Sequence, residues 1–423
     1  MKTRLLNLTP SQTFSRSIGL DVHRDRIYVT ELFILEGTYK QYEISTQEKE
    51  FEAFLATLRS DDQVALEATR GSNYYVRRLL TRVASVSVAN TSKLPSSHAK
   101  NDRNDSYHLA FLLSIGMLPT IWMADKETQE DRELLHYRAN LVQDQTRLKN
   151  RIRALLAEHG MNWDGSDIKS ACAQRFLMRL KSLLSSASRE VLANQLEQLD
   201  FLDTRLQRLE PIIQVRAARW PEVALLMTIR GINVLTAFTI VAIIGRMDRF
   251  PSADSLANYS GLVPRQYSSA GKSRLGKITK AGSKMLRWAL TEAVQSLCKA
   301  DGPYRNLCKR LERKKKGKGI AATACARKLL TAIWCMVTRG ETFRHAEPKL
   351  TESKVQRREQ RLKAARPFVE EQKQRHHQII MSQLALVQAL ASRRALMPVP
   401  DQLLASLGRL SLPERPVAAM ATG

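Results

Sequence analysis

The first quarter of the chain alternates between short strand-like segments and longer helical segments, and this order restricts the fold more than any other feature. Strand-like segments, rich in β-branched and aromatic residues and bounded by turn residues, occupy 18–31 (two strands around a turn), 39–45, 63–69 and 85–91. Helical periodicity occupies 48–60 and 73–83, and a last helix is predicted with Asp105 as N-cap and Gly116 as its stop. Three hairpin-linked strands followed by alternating helices and strands predict a mixed-sheet α/β layer domain.

Beyond this region the pattern changes to long helical stretches. Residues 126–215 carry two charged helical segments with a narrow apolar seam, joined by MNWDGSD, and predict an antiparallel coiled-coil arm. Solvated helices over a core are the alternative. Residues 216–342 are basic, punctuated by glycine and mostly helical in pattern. The predicted organisation is a tail, an α/β domain, a coiled-coil arm, a mostly helical basic domain and a basic helical extension with a flexible end: 1–17, 18–125, 126–215, 216–342 and 343–423.

The charge of the chain indicates the kind of partner. Among 423 residues there are 67 Lys and Arg but only 41 Asp and Glu, a net charge of +26. The segment from Lys272 to Lys318 alone holds 15 Lys and Arg against 3 Asp and Glu. So large an excess favours a polyanionic partner, either nucleic acid or an anionic membrane surface. Because the sequence has no uninterrupted apolar run of about 18 residues, we expect no membrane association.

The N-terminus and the cysteines indicate a cytosolic protein. The first residues, MKTRLLNLTPSQTF, lack the continuous apolar segment and the small-residue cleavage site of a signal peptide. The five cysteines are odd in number, scattered, and contain no C-x-x-C pair. They predict reduced thiols in the cytosol, not disulfides or a zinc site.

Four carboxylates carry the functional signal. Asp21 lies inside the first predicted strand and Glu67 inside the fourth, where a buried charge is costly unless something compensates it. Each could be a strand-end acid paired with an arginine. Taken alone, Asp105 is an ordinary N-cap and Asp102 a loop residue. In a mixed sheet of this order, however, the first and fourth strands are neighbours and the last helix begins at the same edge.

The four acids are therefore expected to converge at one edge of the sheet. Four carboxylates can hold one or two Mg²⁺ ions, with Mn²⁺ as the alternative, because hard cations prefer oxygen ligands. Such ions stabilise the attacking and leaving oxygens of a phosphodiester. Three neighbours in the segment SHAKNDRNDSYHLA are predicted to hold phosphates on either side: Lys100, Arg103 and Asn104.

A resemblance to a known family rests on two segments. KNDRNDSYHLA resembles the DEDD transposases of the insertion-sequence one-ten family, the bridge-RNA-guided recombinases related to Piv-type DNA invertases. ANYSGLVPRQYSSAGKSRLGKITKAGSKMLRWALTEA resembles the second domain of that family in the order and spacing of its motifs, and the likeness covers residues 18–342. It implies an RNase-H-like, or RuvC-like, first domain whose catalytic and metal-binding residues are Asp21, Glu67, Asp102 and Asp105. It also implies DNA partners (element ends and target), a structured guide RNA and a homodimer or homotetramer.

The same resemblance implies a serine nucleophile in front of the glycine of a basic loop. Nine residues before Ile278 of the I-T-K motif stands Ser269, followed by Ala270 where many relatives have glycine. Ser268 is the nucleophile if the register shifts by one residue, and Tyr267 offers a phenolic alternative. A polar loop whose serines only contact phosphates is the simpler interpretation.

Basic residues around these motifs are the candidates for nucleic-acid contact. They are Lys100, Arg103, Lys272, Arg274, Lys277, Lys280, Arg287, Lys314, Lys315 and Lys316. The segment LMTIRGINVLTAFTIVAIIGRMDRF is of helix-hairpin-helix type, which suits a phosphate at a helix N-terminus, although an ordinary αα turn is the simpler interpretation.

Two other functions would use the same residues. One is a metal-dependent nuclease or junction resolvase that hydrolyses DNA through water without Ser269, and the other is a non-catalytic nucleic-acid-binding scaffold.

Overall fold

The computed structural model describes residues 14–69, 71–94, 101–161, 163, 165, 170–180, 183–269, 272–313 and 317–394. The chain divides into two units, Met1–Asp125 and Lys126–Gly423. The predicted sites at Lys100 and at Lys314, Lys315 and Lys316, together with the two predicted terminal tails up to residue 13 and from residue 395, lie outside the described residues. Of the predicted site residues, three are described by their backbone alone: Ser268, Ser269 and Lys272.

The first unit is built on one six-stranded sheet. Its strands are β1 Arg16–Val22, β2 Arg26–Phe33, β3 Thr38–Ser45, β4 Gln63–Glu67, β5 Ser85–Ala89 and β6 Thr120–Ile121. They are ordered β3-β2-β1-β4-β5-β6, with β4 and β5 parallel to β1 and the other neighbours antiparallel. The predicted mixed sheet and the contact between the first and fourth strands are confirmed. No pattern in the sequence predicts β6, because two residues are too few to show alternation.

Helices cover both faces of this sheet. They are α1 Glu48–Thr57, α2 Ser72–Leu79 and α3 Asp102–Ser114. One apolar cluster joins Ile18 of β1 to α1 and α2. On the other face, Leu109 of α3 packs with Ala65 of β4. Because successive residues of a strand point to opposite faces, Gly19 and Asp21 lie on the α3 side of β1.

The first turn of α3 differs from the prediction. Its N-cap is Asn101, whose side-chain oxygen accepts the backbone N–H of Arg103 at 3.2 Å. The prediction that Asp105 is the N-cap is therefore wrong: this residue lies inside the helix and donates its N–H to the Asn101 carbonyl at 2.9 Å. Asp102 is the first helical residue. Both acids consequently lie in the first turn, three positions apart and on one face.

A glycine brings α3 into close contact with β1. A Cβ atom on Gly19 would lie 2.0 Å from the Ser106 carbonyl oxygen and 2.7 Å from the Ala110 nitrogen, so only glycine fits there. Two hydrogen bonds hold the same crossing: Ser17 Oγ donates to the Ala110 carbonyl at 2.9 Å, and the Thr30 and Ser106 hydroxyls are 2.8 Å apart. This packing places the first turn of α3 beside the C-terminal end of β1.

The second unit begins with a pair of long helices. Its first elements are α4 Lys126–Glu158, α5 Ala171–Leu180 and α6 Ser186–Ala217. Arg216 Nη1 pairs with Asp131 Oδ1 at 2.8 Å, and His159 Nε2 lies 2.9 Å from Ser188 Oγ, so α4 and α6 run antiparallel. Leucines including Leu148 and Leu199 form the apolar contact between them. Between the predicted joining segment MNWDGSD and α6, the chain also forms the helix α5.

The remainder of this unit is mostly helical, as predicted. Its elements are α7 Pro221–Met227, α8 Val234–Ile244, α9 Ala253–Ser260, β7 Pro264–Ser269, β8 Lys272–Ile278, α10 Lys284–Lys299, α11 Pro303–Arg313, α12 Lys318–Arg339 and α13 Pro348–Arg394. A large apolar cluster surrounds Phe238 of α8. Among the described residues, α12 alone is long and apolar enough, by length and composition, to cross a membrane. Leu329 and Ile333 of α12 are buried inside the same cluster, which accounts for its composition.

The C-terminal extension forms a single helix, α13, where one or two surface helices are predicted. Phe368 of α13 and Leu209 of α6 line the same shallow cavity, so the two helices pack side by side. Near the start of α13, Lys354 Nζ donates to the carbonyls of Met227 and Ile229 at 2.9 and 2.6 Å. The first turns of the extension are therefore anchored to the second unit.

Three of the five cysteines meet where α10, α11 and α12 pack together. Cys298 and Cys308 form a disulfide, and Cys325 Sγ lies 3.0 Å from Cys308 Sγ. The prediction of reduced thiols is therefore wrong for Cys298 and Cys308, whereas Cys325 is a free, buried cysteine beside them. Their separation in sequence hides the contact, because it arises only from the packing of three helices.

Candidate functional site

Three polar side chains meet at the C-terminal end of β1. Asp21 is only 6% exposed, although it carries a carboxylate. His23, just beyond the strand, places Nε2 3.1 Å from Asp21 Oδ2 and 3.5 Å from Asp102 Oδ2 in the first turn of α3. The ligand atoms of all three residues lie within 4.8 Å of one another. Two elements that are distant in sequence thus contribute to one polar cluster.

The electrostatics of this cluster are unfavourable for Asp21. Burial raises the pKa of its carboxyl group; His23 opposes this shift, and the charges of Asp102 and Asp105 add to it. Among the described residues, no arginine or lysine forms an ion pair with any of these acids. Carboxylates gathered in this way fit a divalent cation, which would supply the missing positive charge. The cluster can therefore bind a metal ion.

The other two predicted acids lie at the same edge of the sheet. Asp105 follows Asp102 by three residues in α3, and its charge reaches Asp21. Glu67 ends β4, one position beyond the pair Leu20 and Leu66 in the parallel β1–β4 register. One further step of that register sets Glu67 beside Asp21 in the neighbouring strand. Asp21 and Asp102 thus share one cluster with His23, Asp105 is related to it by its charge, and Glu67 by the strand register.

The sequence reasoning does not identify His23 as a member of the site. Its signal is the D-V-H spacing at a strand end, since residues two apart in a strand share a face. The backbone supports this placement, because the His23 N–H donates to the Arg26 carbonyl at 3.0 Å across the β1–β2 turn. Arg103, predicted to hold a phosphate, is exposed in the first turn of α3.

The predicted serine lies in a β-hairpin and not in a loop. β7 and β8 pair antiparallel, with Ser269 opposite Lys272 and Tyr267 opposite Arg274. The Tyr267 side chain is 58% exposed. Arg274, Lys277 and Lys280 are also exposed, so this hairpin presents positive charge to solvent.

Close backbone packing holds the base of this hairpin. A Cβ atom on Gly282 would lie 1.9 Å from the Tyr259 carbonyl oxygen, so the chain cannot carry a side chain there without moving. Arg287 Nη1 donates to the carbonyls of Ser260 and Gly282 at 3.1 and 2.6 Å. The glycine of the I-T-K-x-G motif thus positions the hairpin, and Arg287 supports it. Contact between Arg287 and nucleic acid stays a prediction.

The hairpin between α7 and α8 already uses some of its backbone N–H groups. Asn233 Oδ1 accepts the Thr236 N–H at 2.9 Å, and the Ile232 N–H donates to the Ile229 carbonyl at 3.2 Å. Gly231 has a φ of +82°, and a Cβ atom there would lie 2.6 Å from Ser296 Cβ in α10. These contacts explain the hairpin as a tight αα turn, and phosphate binding by it stays a prediction.

Comparison with known proteins matches both units. A family model for DEDD transposases of the IS110 type matches residues 18–161, and one described as the transposase IS116/IS110/IS902 family matches residues 223–308. The chain is 29% identical over 294 residues to the "Transposase for insertion sequence element IS1111A" of Coxiella burnetii, covering 66% of this chain and 79% of that protein. It is 27% identical over 291 residues to a "Probable family 20 transposase" of Pseudomonas aeruginosa, covering 66% and 85%.

A DNA-inverting protein is also similar to this chain. The "Pilin gene-inverting protein" of Moraxella lacunata is 31% identical over 153 residues, which is 36% of this chain and 46% of that protein. The two family models match in the order that the resemblance predicts, the acidic cluster within the first and the serine hairpin within the second. The chain accordingly belongs to the DEDD transposases of the IS110 family and is a DNA transposase of an insertion sequence.

Proposed function

We propose that this transposase cleaves and rejoins DNA strands through Ser269 and through a divalent cation held by Asp21, Glu67, Asp102 and Asp105. Mg²⁺ is the expected ion, with Mn²⁺ as the alternative. The observation that carries the proposal is the gathering of Asp21 and Asp102 around one position, without a lysine or arginine partner among the described residues. When bound, such an ion stabilises negative charge on the oxygens of a phosphodiester.

The strand order of the first unit supports an RNase-H-like, or RuvC-like, fold. Three antiparallel strands, β1 to β3, are followed by β4 and β5 parallel to β1. In this arrangement the C-terminal ends of β1 and β4 share an edge, and α3 begins there. Residues from three elements can therefore act on one phosphate group at this edge.

The proposed chemical step at Ser269 conserves the number of phosphodiester bonds. The serine oxygen attacks phosphorus and loses its proton, a phosphoserine bond forms, and the DNA oxygen leaves with a proton as a free hydroxyl end. A second DNA hydroxyl end then attacks the phosphoserine and releases the serine. Because one bond forms for each bond broken, no nucleotide cofactor is needed. Exposed Arg274 and Lys277 on β8 can neutralise the phosphate during both steps.

The proposed partners follow from charge and from the relatives. DNA of the element ends and of the target is the expected substrate, and a structured guide RNA is the expected second nucleic acid. The net charge of +26 suits both. The Moraxella relative is named for the inversion of a pilin gene, which is a cleavage and rejoining of DNA. We expect a homodimer or homotetramer bound to DNA in the cytoplasm of a bacterium.

A trapping experiment tests the serine. The wild-type chain, Ser269→Ala, Ser268→Ala and Tyr267→Phe are incubated with a nicked or mismatched substrate, run on a denaturing gel and analysed by peptide mapping. A protein–DNA adduct that disappears only in Ser269→Ala supports the proposal. An adduct that disappears only in Ser268→Ala moves the nucleophile by one residue, and one lost only in Tyr267→Phe assigns it to the phenol.

The second candidate function is a metal-dependent junction resolvase that uses water. The observation in its favour is that Asp21, His23 and Asp102 could hold a metal ion, and a bound ion can activate water for hydrolysis. Its attacking oxygen comes from solvent, so cleavage would leave free ends and Ser269→Ala would remain active. Wild-type cleavage without any adduct under trapping conditions would establish this function and contradict the serine mechanism.

A further inference from the structure

We propose that His23 is a nitrogen ligand of the cation bound by Asp21 and Asp102, and that it raises the affinity of the site for Mn²⁺ relative to Mg²⁺. The inference rests on the metal site of the proposed function and adds a residue that the four-carboxylate motif does not contain. It concerns the identity of the ion and not the chemistry of the strand transfer.

The distances around His23 Nε2 match a shared ion. Ligand atoms about 2.1 Å from one octahedral ion lie about 3 Å from their neighbours. His23 Nε2 is 3.1 Å from Asp21 Oδ2 and 3.5 Å from Asp102 Oδ2. All three ligand atoms lie within 4.8 Å of one another, so one ion can contact each of them.

A hydrogen bond alone explains this geometry less well. Nε2 of a histidine carries at most one hydrogen, and the 3.1 Å contact with Asp21 uses it, so a hydrogen bond does not account for the 3.5 Å approach of Asp102 Oδ2. A structural pairing would need one of these partners only. An ion between the three atoms satisfies both acids and the imidazole together.

The ring of His23 is held in place by its surroundings. It packs edge-on against Tyr28, with ring centroids 5.9 Å apart and an interplanar angle of 88°. Its backbone N–H is fixed by the Arg26 carbonyl at 3.0 Å. A ligand that is already oriented loses little conformational freedom when the ion binds.

Exposure gives the three ligands different positions in the site. The Asp21 side chain is 8% exposed, whereas those of His23 and Asp102 are 44% and 46% exposed. Asp21 therefore lies at the base of the site, and the other two residues stand at its solvent side. This leaves an approach for a phosphate group from solvent.

The ligand type decides which ion is favoured. Mg²⁺ prefers oxygen ligands and loses its water reluctantly, whereas transition-metal ions accept imidazole readily. An imidazole nitrogen added to a set of carboxylate ligands therefore raises the affinity for Mn²⁺ relative to Mg²⁺. The neutral ring also adds no negative charge, so it does not strengthen the attraction for Mg²⁺.

The test measures binding of each ion to the full-length protein. Free Mn²⁺ is followed by electron paramagnetic resonance, and Mg²⁺ is followed by its competition for the same site. The proteins are wild type, His23→Asn, His23→Asp, Asp21→Asn and, as a matched control, His108→Asn, an exposed histidine of α3 outside the cluster. Circular dichroism checks that each variant is folded.

Loss of the nitrogen ligand should affect the two ions unequally. In His23→Asn we expect Mn²⁺ affinity to fall about tenfold or more, with a much smaller change for Mg²⁺. His23→Asp should bind Mg²⁺ more tightly than wild type, and His108→Asn should match wild type. Equal losses for both ions in His23→Asn, or unchanged Mn²⁺ binding, would overturn the assignment of His23.

The Asp21→Asn protein separates this inference from the proposed function. If it loses both ions while His23→Asn changes neither, the carboxylate site stands and His23 is not a ligand. If it binds both ions as tightly as wild type does, the metal site itself is wrong, and the inference about His23 fails with it.

Discussion

The two ends of β1 both carry buried carboxylates, but they compensate the charge in opposite ways. At the first end, Arg16 donates to both oxygens of Asp62 at 2.9 and 2.6 Å and to Glu31 at 2.8 Å. The hydrogen bond with Asp62 is the main cause that raises the pKa of Arg16. At this end of β1, the positive charge of Arg16 balances the carboxylates without a bound ion.

At the other end of β1 the acids accumulate without such a partner. Asp21 meets Asp102 and His23, and burial raises the pKa of the Asp21 carboxyl. A folded chain that pairs Asp62 so completely could pair Asp21 in the same way. The difference fits the proposal that a bound cation balances the charge at the second end. On that proposal, the acids at one end of β1 stabilise the fold and those at the other end bind the ion.

The largest effect is expected from Arg16→Met, which leaves Asp62 and Glu31 buried without their cation. Removing one partner of a buried ion pair typically costs about 3–5 kcal/mol, and we expect a loss of unfolding free energy of that size. Urea denaturation followed by circular dichroism measures it. Arg24→Met is the control, because the Arg24 side chain is 95% exposed, and it should change stability very little. A loss below about 1 kcal/mol in Arg16→Met would show that the two ends do not differ as described.

A second prediction concerns the opposite end. We expect Asp102→Asn to reduce strand cleavage more than about a hundredfold, because a ligand charge is lost, while nucleic-acid binding and the unfolding free energy change little. Asp105→Asn should behave in the same way. Gel-based cleavage and binding assays at limiting Mg²⁺ measure both quantities. Normal cleavage in either amide variant would remove that acid from the metal site.

The predicted adjacency of β1 and β4 follows from strand order, which is a local property of the sequence. The N-cap of α3 is harder to predict from the sequence. Asn101 and Asp105 are both good capping residues, and only the backbone conformation decides between them. His23 escapes sequence reasoning because its partner Asp102 comes from a distant element. Strands β7 and β8 are not predicted from the sequence, because PRQYSS and KSRLGKI lack the alternation of apolar and polar residues that indicates a strand. The order of the strands thus predicts which strand ends share an edge of the sheet. The contact between His23 and Asp102 is not predicted, because it depends on how distant elements pack.

Lys354 is a half-buried cation in the second unit. Burial lowers the pKa of Lys354 from 10.5 to about 8, and Glu347, Arg230 and Arg357 are its charged neighbours. The folded protein therefore releases this proton near pH 8, whereas the unfolded chain keeps it until about pH 10.5. The unfolded state then binds more protons, so the unfolding free energy should rise between these pH values.

Lys354→Met tests this dependence, because it removes the titrating group and keeps much of the side-chain volume. Urea denaturation at several pH values between 8 and 10.5 should show a rise in wild type that is reduced in the variant. Parallel pH profiles in the two proteins would mean that Lys354 remains charged in the fold. In that case its bonds to Met227 and Ile229 compensate the charge as fully as Asp62 compensates Arg16.

The smallest effect is expected on the salt dependence of nucleic-acid binding, when the basic run that follows α11 is changed. Exposed Lys309, Arg310 and Arg313 of α11 lead directly into a run of three lysines, Lys314, Lys315 and Lys316. Neutralising these three lysines should flatten the log–log dependence of nucleic-acid binding on salt, by about 0.7–0.9 for each lost phosphate contact. Filter binding between low and moderate salt measures the slope. The same slope in the triple variant would show that the run makes no phosphate contact.

The most direct measurement is thermal denaturation of the full-length protein with and without Mg²⁺, comparing wild type, Asp21→Asn and Glu31→Gln. An ion present at a hundred times its dissociation constant stabilises the folded state by about 2.7 kcal/mol. We expect a clear rise in melting temperature for wild type and for Glu31→Gln, whose lost acid belongs to the Arg16 end, and no rise for Asp21→Asn. A wild-type protein indifferent to Mg²⁺, or an equal rise in Asp21→Asn, would contradict the claim that the second end of β1 is a cation site.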